Sequence, residues 1–189
     1  MIELDARISK QMQIAEKPGP LRTLAAVLAH SGDSWFWLAG LGLLWWLGTD
    51  YWKWRAIILI ISILLTAVAV FTIKLIVRRK RPEGEWGKLY RNTDPHSFPS
   101  GHAVRAVMLA VLVLGLGPLW LGLMLLAWAP LVGLARVAMG VHYLSDVLAG
   151  MIMGLVIGGL ILLVIQLGIS PVKFTMNDTQ LPYLLGGMV

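Results

Sequence analysis

The sequence predicts an all-α bundle of about five to six transmembrane helices, preceded by an amphipathic N-terminal helix. Of its 189 residues, 58% are hydrophobic and only 14% are charged, whereas soluble domains have about 45–50% apolar and about 25% charged residues. The apolar residues form long stretches, which is the pattern of membrane-spanning helices. Six of the nine tryptophans lie at the ends of the first two stretches, as expected for aromatic belts at membrane interfaces.

The segment 1–33 is predicted to form two short helices that lie on the membrane surface. Leu4, Ile8 and Met12 share one helical face, and charged residues occupy much of the remaining surface of that first helix. A Pro-Gly-Pro break follows, and apolar residues then recur at helical spacing, which predicts the second helix.

Five apolar spans follow, and together they form a predicted transmembrane domain over residues 34–168. The first and third are shorter than the roughly 20 residues that cross a bilayer, so either they extend into their flanks or the bilayer is locally thinner. Gly150, Gly154 and Gly158 form a stripe on the fifth span that favours close helix packing. Residues 169–189 form a C-terminal tail. The predicted spans cover residues 34–48, 54–77, 101–116, 119–137 and 143–168.

Counting the crossings places the N-terminal segment, the 78–100 loop and the 138–142 turn on one side of the membrane, called side A. Polar side chains from three separate stretches therefore meet at side A, and ionisable residues inside a membrane are functional candidates by default. These residues are Lys74, Arg81, Ser100, His102, Arg136, His142 and Asp146.

The basic members of this group predict a phosphate-binding site. Arginine presents a planar fork of donors that matches phosphate oxygens, and lysine adds a point charge. Ser100 and Gly101 begin the third span, where free backbone N–H groups and the helix dipole also attract an anion. We therefore expect Lys74, Arg81 and Arg136 to hold a phosphoryl group together with this helix start.

The histidines of the group supply the chemistry. His142 and Asp146 are four residues apart and share a helical face, so the carboxylate can hold one ring nitrogen protonated while the other attacks phosphorus. His102 lies at the same side on another helix and can protonate the leaving oxygen. The expected intermediate is a phosphohistidine that water hydrolyses, with no cofactor and no metal. Taken alone, the His142–Asp146 spacing equally allows a pair that only stabilises the helix start.

Three motif parts resemble, in order and spacing, the signature of the type 2 phosphatidic acid phosphatase (PAP2) superfamily. They are Lys74-x6-Arg81-Pro82, Pro99-Ser100-Gly101-His102 and Arg136-x5-His142-x3-Asp146. The resemblance implies a metal-free, two-step phosphatase with a helical-bundle fold. It makes His142 the nucleophile, Asp146 its partner and His102 the acid. The phosphate ligands that it implies are Lys74, Arg81, Ser100, Gly101 and Arg136.

Two features depart from the family pattern, and a third feature favours one class of substrate. Ala135 stands where the family usually has serine, which removes one supporting hydroxyl. Many membrane members have six spans, so the first family span looks missing here. The segment from Asp94 to His102, with Arg105, is similar to the polyisoprenoid diphosphate phosphatase branch. A prenyl diphosphate is therefore our first choice of substrate, ahead of phosphatidate and phosphatidylglycerol phosphate. Arg105 either pairs with Asp94 or touches a second phosphate.

The remaining basic residues and histidines, and the motif residues themselves, allow other roles. Arg78, Arg79 and Lys80 are expected to contact lipid headgroups, and His30 and His96 to be plain loop or interface residues. A transporter or binder of anionic lipids is the alternative function, but a transporter would need charge through the middle of the bilayer. A metal hydrolase is disfavoured because the basic residues beside the motif histidines would repel a divalent cation.

Net charge and composition limit the possible binding partners and the cellular location of the protein. A net charge of +6 predicts contact with anionic headgroups or an anionic substrate. Nucleic acid is disfavoured because the aromatic residues fall at span ends rather than among basic ones.

We expect a multi-pass protein of the cell membrane, and the sequence does not indicate its oligomeric state. Most of the 16 Lys and Arg residues lie on side A, so the positive-inside rule favours a cytoplasmic site. Bacterial members of the resembled family mostly work on the outer face, and we favour that face.

Overall fold

The computed structural model describes residues 2–15, 17–91 and 93–168, and the structure in these ranges is helical, as predicted. Among the described residues, the regular structure outside helices is one antiparallel bridge between Lys80 and His96, and turns and loops join the helices. The predicted tail over 169–189 lies outside the described residues. The helices in chain order are α1 Ile2–Gln11, α2 Pro20–His30, α3 Ser34–Leu47, α4 Asp50–Val77, α5 Glu85–Arg91, α6 Gly101–Leu116, α7 Leu119–Ala138 and α8 Leu144–Gln166.

Three of these helices are long and apolar enough to cross a membrane. They are α4, α7 and α8, with 28, 20 and 23 residues. The shorter apolar helices α3 and α6 have 14 and 16 residues, fewer than the roughly 20 that span a bilayer. Large apolar side chains such as Leu65, Val68 and Ile152 are exposed on the long helices, and lipid would cover them. The chain is therefore an integral membrane protein, and its total of five crossings stays a prediction.

Helix α6 forms the centre of the bundle. Every residue from Ala103 to Ala110 on this helix is buried, against α7 on one side and α8 on the other. The glycine stripe of α8 explains the close approach, because a Cβ built on Gly150 would lie 2.7 Å from the backbone oxygen of Ser100. The amide of Ser100 donates to the backbone oxygen of Asp146 at 3.0 Å. Backbone contact between α6 and α8 therefore fixes the start of one helix beside the start of the other.

Helix α1 docks on the bundle through its polar residues. The amide of Leu144 donates to Ser9 Oγ at 2.9 Å, and the amide of Ser145 donates to Asp5 Oδ1 at 3.1 Å. Leu4 and Ile8, on the apolar face, are exposed. This orientation suits a helix that turns its apolar face to lipid, while its polar face caps the start of α8 by binding two of the amides that a helix start leaves without partners.

Helix α5 departs from the loop that the sequence predicts over residues 78–100. It has seven residues and lacks the apolar periodicity that marks a longer amphipathic helix. Its Trp86 and Tyr90 pack beside the buried alanine and methionine cluster formed by α2, α7 and the turn after α7. The helix thereby brings Tyr90 over the basic residues of the site, at 5.3 Å from Arg81 and 4.7 Å from Arg136.

Candidate active site

A cavity of about 860 Å³ opens at the end of the bundle where α4 ends and α6 begins. Its basic and imidazole wall comes from the sequence motifs, and its other wall is apolar. The first wall is formed by Lys74, His102, Arg105, Arg136 and His142. The second is formed largely by Trp35, Ala67, Val70, Phe71 and Leu75. The three motif stretches therefore meet around one space that joins a cationic pocket to a hydrophobic groove.

The predicted phosphate ligands are buried together. Lys74, Arg81 and Arg136 are 6%, 4% and 1% exposed, although isolated charges of this kind are costly to bury. Asp94 reduces the cost for two of them: its carboxylate pairs with Lys74 and, at 2.7 Å, with Arg81 Nη2. Burial opposes ionisation of Asp94, but Lys74 and Arg81 outweigh it and lower the pKa of that carboxyl.

Two buried donors beside the pocket have no acceptor among the residues that the structure describes. Arg136 Nη1 donates to the Tyr90 hydroxyl at 3.1 Å, but Arg136 Nε is buried without a hydrogen-bond partner among the described residues, and so is Ser100 Oγ. Ser100 is also the N-cap residue of α6, and its side chain does not cap that helix. Unpaired buried donors are rare and ask for a partner. An anion in the cavity could provide the missing acceptor atoms.

The His142 ring lies between Arg81 and Asp146. Arg81 Nη1 is 3.2 Å from His142 Nε2, while Asp146 Oδ2 is 3.7 Å from His142 Nδ1. The second distance is longer than a hydrogen bond, so the predicted neighbours meet without the expected hydrogen bond. Burial, followed by the nearby cations Arg81, Arg136 and Lys74, lowers the pKa of His142 well below 6.5. The lowered pKa favours the neutral ring, which has a lone pair on one nitrogen.

Other bonds occupy the Asp146 carboxylate. Its Oδ2 accepts the amide of Tyr143 at 2.8 Å, which caps α8, and its Oδ1 accepts Arg79 Nη1 at 2.7 Å. Arg79 also donates to Ser145 Oγ and, at 2.6 Å, to Asp5 Oδ2. The expectation that Arg79 contacts headgroups is therefore wrong for this side chain. Nothing in the run of basic residues distinguished it from Arg78, which is exposed.

His102 has a carboxylate partner that the sequence analysis did not find. Its Nε2 is 2.6 Å from Asp33 Oδ1, at the start of α3. Arg105 donates to the backbone oxygen of Gly32 through Nε at 2.8 Å and to Ser34 Oγ at 2.5 Å. Of the two readings of Arg105, pairing with Asp94 is thus replaced by contacts with the loop before α3. Contact with a second phosphate stays a prediction, since Arg105 lines the cavity.

The two remaining histidines differ in position. His30 Nδ1 lies 3.0 Å from Asp33 Oδ2, so it belongs to the surroundings of His102. His96 lines the cavity and forms the backbone bridge with Lys80. Neither had a sequence signal beyond its residue type. Among the described residues, no group of three or more His, Asp or Glu side chains is arranged to hold a metal ion.

Comparison with known proteins agrees with this geometry. Residues 55–169 match the PAP2 superfamily. The chain is 32% identical over 170 residues to decaprenylphosphoryl-5-phosphoribose phosphatase of Mycobacterium tuberculosis, covering 84% of this chain and 88% of that one. It is 34% identical over 102 residues to undecaprenyl-diphosphatase of Sulfolobus acidocaldarius, covering 52% of this chain and 49% of that one.

Solved structures show the same fold. A transmembrane PAP2-type phosphatidylglycerolphosphate phosphatase from Bacillus subtilis superposes with a TM-score of 0.68 at 23% identity, covering 91% of this chain and 88% of that chain. LpxE of Aquifex aeolicus superposes with a TM-score of 0.63 at 24% identity, covering 81% and 93%. The length of the family match and the 32% identity to a relative covered almost end to end are decisive. This chain belongs to the PAP2 superfamily and is a membrane-embedded hydrolase of phosphoric monoesters or diphosphates.

Proposed function

We propose that the protein removes the terminal phosphate of a polyprenyl-linked phosphate or diphosphate lipid through a phosphohistidine on His142. One observation carries the proposal: the buried His142 imidazole lines a cavity whose one wall is cationic and whose other wall is apolar. The cationic wall fits a phosphate and the apolar wall fits the lipid chain beside it. The names of two relatives, a decaprenylphosphoryl-5-phosphoribose phosphatase and an undecaprenyl-diphosphatase, support the polyprenyl class.

The phosphate is held by Lys74, Arg81 and Arg136. Its oxygens accept from the unpartnered Arg136 Nε and Ser100 Oγ and from the amides at the start of α6, where Gly101 lets the ligand approach the backbone. They also compete with Asp94 for Lys74 and Arg81. Asp94 and Tyr90 hold these cations beside the pocket before substrate arrives, so the cations are already close when charge develops in the transition state.

His142 then attacks phosphorus through Nε2. The new N–P bond forms as the bond from phosphorus to the leaving oxygen breaks, and the leaving oxygen keeps the electron pair and takes a proton from His102. Arg81, which contacts Nε2 at 3.2 Å, turns to the phosphate oxygens. Asp146, 3.7 Å from Nδ1, stabilises the positive ring. Water next attacks phosphorus as the N–P bond breaks and its electron pair returns to His142 Nε2; His102 takes a proton from that water, and inorganic phosphate leaves.

The lipid part lies along α4. Ala67, Val70, Phe71 and Leu75 extend the cavity away from the cations along that helix. Phe71 and Leu75 are also exposed, so the groove opens toward the lipid side of the bundle. A chain of isoprene units can therefore remain in the bilayer while its phosphate reaches His142. The same groove admits the acyl chains of phosphatidate or phosphatidylglycerol phosphate, and these two lipids belong in the substrate panel.

Phosphate release tests the proposal. Full-length protein purified in detergent is given polyprenyl diphosphate, a polyprenyl-phosphoryl sugar phosphate, phosphatidate and phosphatidylglycerol phosphate, with and without a chelator. We expect release to be fastest with a polyprenyl substrate and unchanged by chelator, because cations of the protein replace a metal. Folded protein that binds these lipids without releasing phosphate would instead support the alternative, a binder or transporter of anionic lipids.

A trapping experiment tests the intermediate. Phosphorus-labelled substrate is mixed with protein and quenched in base, where a phosphohistidine survives and a phosphate ester of serine does not. Label should appear on the wild type and be missing from His142→Asn. Label that persists in the variant would remove His142 as the nucleophile.

We also propose that the site faces the outside of the cell membrane. The chain has no cysteine, so single cysteines can be introduced at the exposed positions Thr49 and Thr93. In whole cells, an impermeant thiol reagent should label Thr93→Cys, which lies on side A, and spare Thr49→Cys. The opposite pattern would place the site in the cytoplasm.

A further inference from the structure

Asp33 lies outside the three motif stretches, yet it contacts one of their histidines. Its Oδ1 is 2.6 Å from His102 Nε2, across 69 positions of sequence. Its Oδ2 is 3.0 Å from His30 Nδ1 and accepts Trp35 Nε1 at 3.3 Å. Asp33 also lines the cavity together with His102. The carboxylate is thus bound at both oxygens and sits between the imidazole and the start of α3.

The loop that carries Asp33 is fastened on several sides. Arg105, one turn after His102, holds the backbone oxygen of Gly32. Ser31 accepts Trp128 Nε1 of α7 at 2.9 Å, and its backbone oxygen accepts Trp37 Nε1 at 2.9 Å. These bonds restrict the loop before any substrate is bound, so the Asp33 contact does not rest on a freely rotating side chain.

Gly32 packs directly on the imidazole. A Cβ at this position would lie 3.2 Å from His102 Cδ2 and 2.9 Å from Val132 Cγ1. The backbone therefore reaches the ring more closely than a side chain would allow. Burial opposes ionisation of Asp33, but its hydrogen bonds with His102 and His30 outweigh burial and lower the pKa of this carboxyl. The partner of His102 is therefore a carboxylate at neutral pH.

We propose that Asp33 is a positioning residue for proton transfer by His102. The inference rests on the proposed function, in which His102 protonates the leaving oxygen. Asp33 holds the Nε2 proton, so Nδ1 is the nitrogen that exchanges a proton with the substrate. When the bond from phosphorus to the leaving oxygen breaks, that oxygen takes the Nδ1 proton and His102 becomes neutral. The attacking water later returns a proton to Nδ1, and Asp33 stabilises the imidazolium that forms.

Leaving-group chemistry separates this role from a structural one. An alkoxide or pyrophosphate-like oxygen needs a proton as it leaves, whereas para-nitrophenolate leaves without one. Asp33→Asn is therefore assayed with a lipid alkyl phosphate and with para-nitrophenyl phosphate. We expect kcat/KM, which reports the step in which the leaving group departs, to fall about 100-fold on the alkyl phosphate and only a few-fold on the aryl phosphate. His102→Gln should show the same selectivity, and Asp33→Asn should add little to it in the double variant.

Asp50→Asn is the matched control. Asp50 also stands at a helix start, its side chain is 95% exposed, and it lies at the other end of the bundle. This variant should retain wild-type turnover of both substrates. If Asp33→Asn lowers the melting temperature too far, Asp33→Glu keeps the charge but displaces it, and a loss confined to the alkyl phosphate is again expected.

The outcomes distinguish the two proposals. Equal losses on the two substrates, or full activity on the alkyl phosphate, would overturn the role of Asp33 while leaving the phosphatase intact. Wild-type protein that releases phosphate from neither substrate would overturn the proposed function itself.

Discussion

Two histidine–carboxylate pairs form the site, and they are built differently. His142 and Asp146 belong to one helix start, four positions apart, and His142 Nδ1 lies 3.7 Å from Asp146 Oδ2. His102 and Asp33 are 69 positions apart and meet at 2.6 Å. The pair that sequence spacing indicates is the longer contact, and the pair that spacing could not indicate is the shorter one.

The difference follows from what else each carboxylate binds. Asp146 caps α8 through Oδ2 and accepts Arg79 through Oδ1, so both of its oxygens already have hydrogen-bond donors other than His142. Its effect on His142 is chiefly electrostatic across a short gap in a buried site. Asp33 gives one oxygen to His102 alone. The carboxylate of a local pair thus also binds the start of its own helix. A carboxylate that tertiary packing brings to a histidine can instead use one oxygen for that histidine.

The largest effect should come from His142→Asn. Without a nucleophile, turnover of both alkyl and aryl phosphates should fall by about 10⁴-fold or more, in contrast to the selective loss expected for Asp33→Asn. Initial rates with the two substrates measure this. A variant that keeps aryl phosphatase activity would show that His142 acts on the leaving group. The roles proposed for the two histidine–carboxylate pairs would then be exchanged.

Arg79→Gln should lower activity by a smaller amount. Losing a charged hydrogen bond costs about 1.5–3 kcal/mol, so we expect kcat to fall about 10-fold or more on both substrates as Asp146 loosens. Arg78→Gln is the control, because this neighbour is exposed and its side chain donates to the backbone oxygen of Leu75. Equal rates for the two variants would show that the bond to Asp146 does not matter for turnover.

Gly154→Ala should disturb the packing that joins the two pairs. A Cβ at this position would contact the Val104 backbone and lie 3.0 Å from Val107 Cβ, whereas one at Gly159 meets nothing within 4 Å. We expect the α6–α8 contact to lose about 1–3 kcal/mol. Thermal unfolding in the same detergent should show a lower midpoint for Gly154→Ala and an equal or higher one for Gly159→Ala, since alanine favours helix. Equal midpoints would argue against close packing.

The pH profile should show the smallest effect and sharpen the view of His142. As the proposed nucleophile, His142 must be neutral to attack, and burial with the surrounding cations lowers its pKa well below 6.5. As pH falls, kcat/KM on para-nitrophenyl phosphate should therefore persist past 6.5 and decline only at lower pH. The assay covers about pH 4 to 8 and is corrected for ionisation of the substrate phosphate. A half-loss at or above 6.5 would mean that the ring titrates as an ordinary histidine.

Sequence patterns predicted the structure best where neighbouring residues alone decide it. The apolar stretches at 119–137 and 143–168 correspond to α7 and α8, because lipid selects uninterrupted apolar residues and a helix satisfies its own backbone. They failed at α5, whose seven residues lie in a polar segment without a strong period. They also failed at Arg79, because its partner Asp5 comes from a helix 74 positions away.

The sequence by itself determined the helical membrane bundle, the order of its motifs and the meeting of their basic residues and histidines at one end of that bundle. Hydrophobic length and helical spacing suffice for these, since both are set by neighbouring residues. Only the tertiary structure decided which carboxylate serves which imidazole. Asp33 reaches His102, and Arg79 bridges Asp5 to Asp146, because docked helices and loops fix hydrogen-bond distances to within tenths of an ångström, and chain spacing carries no information on contacts between distant segments.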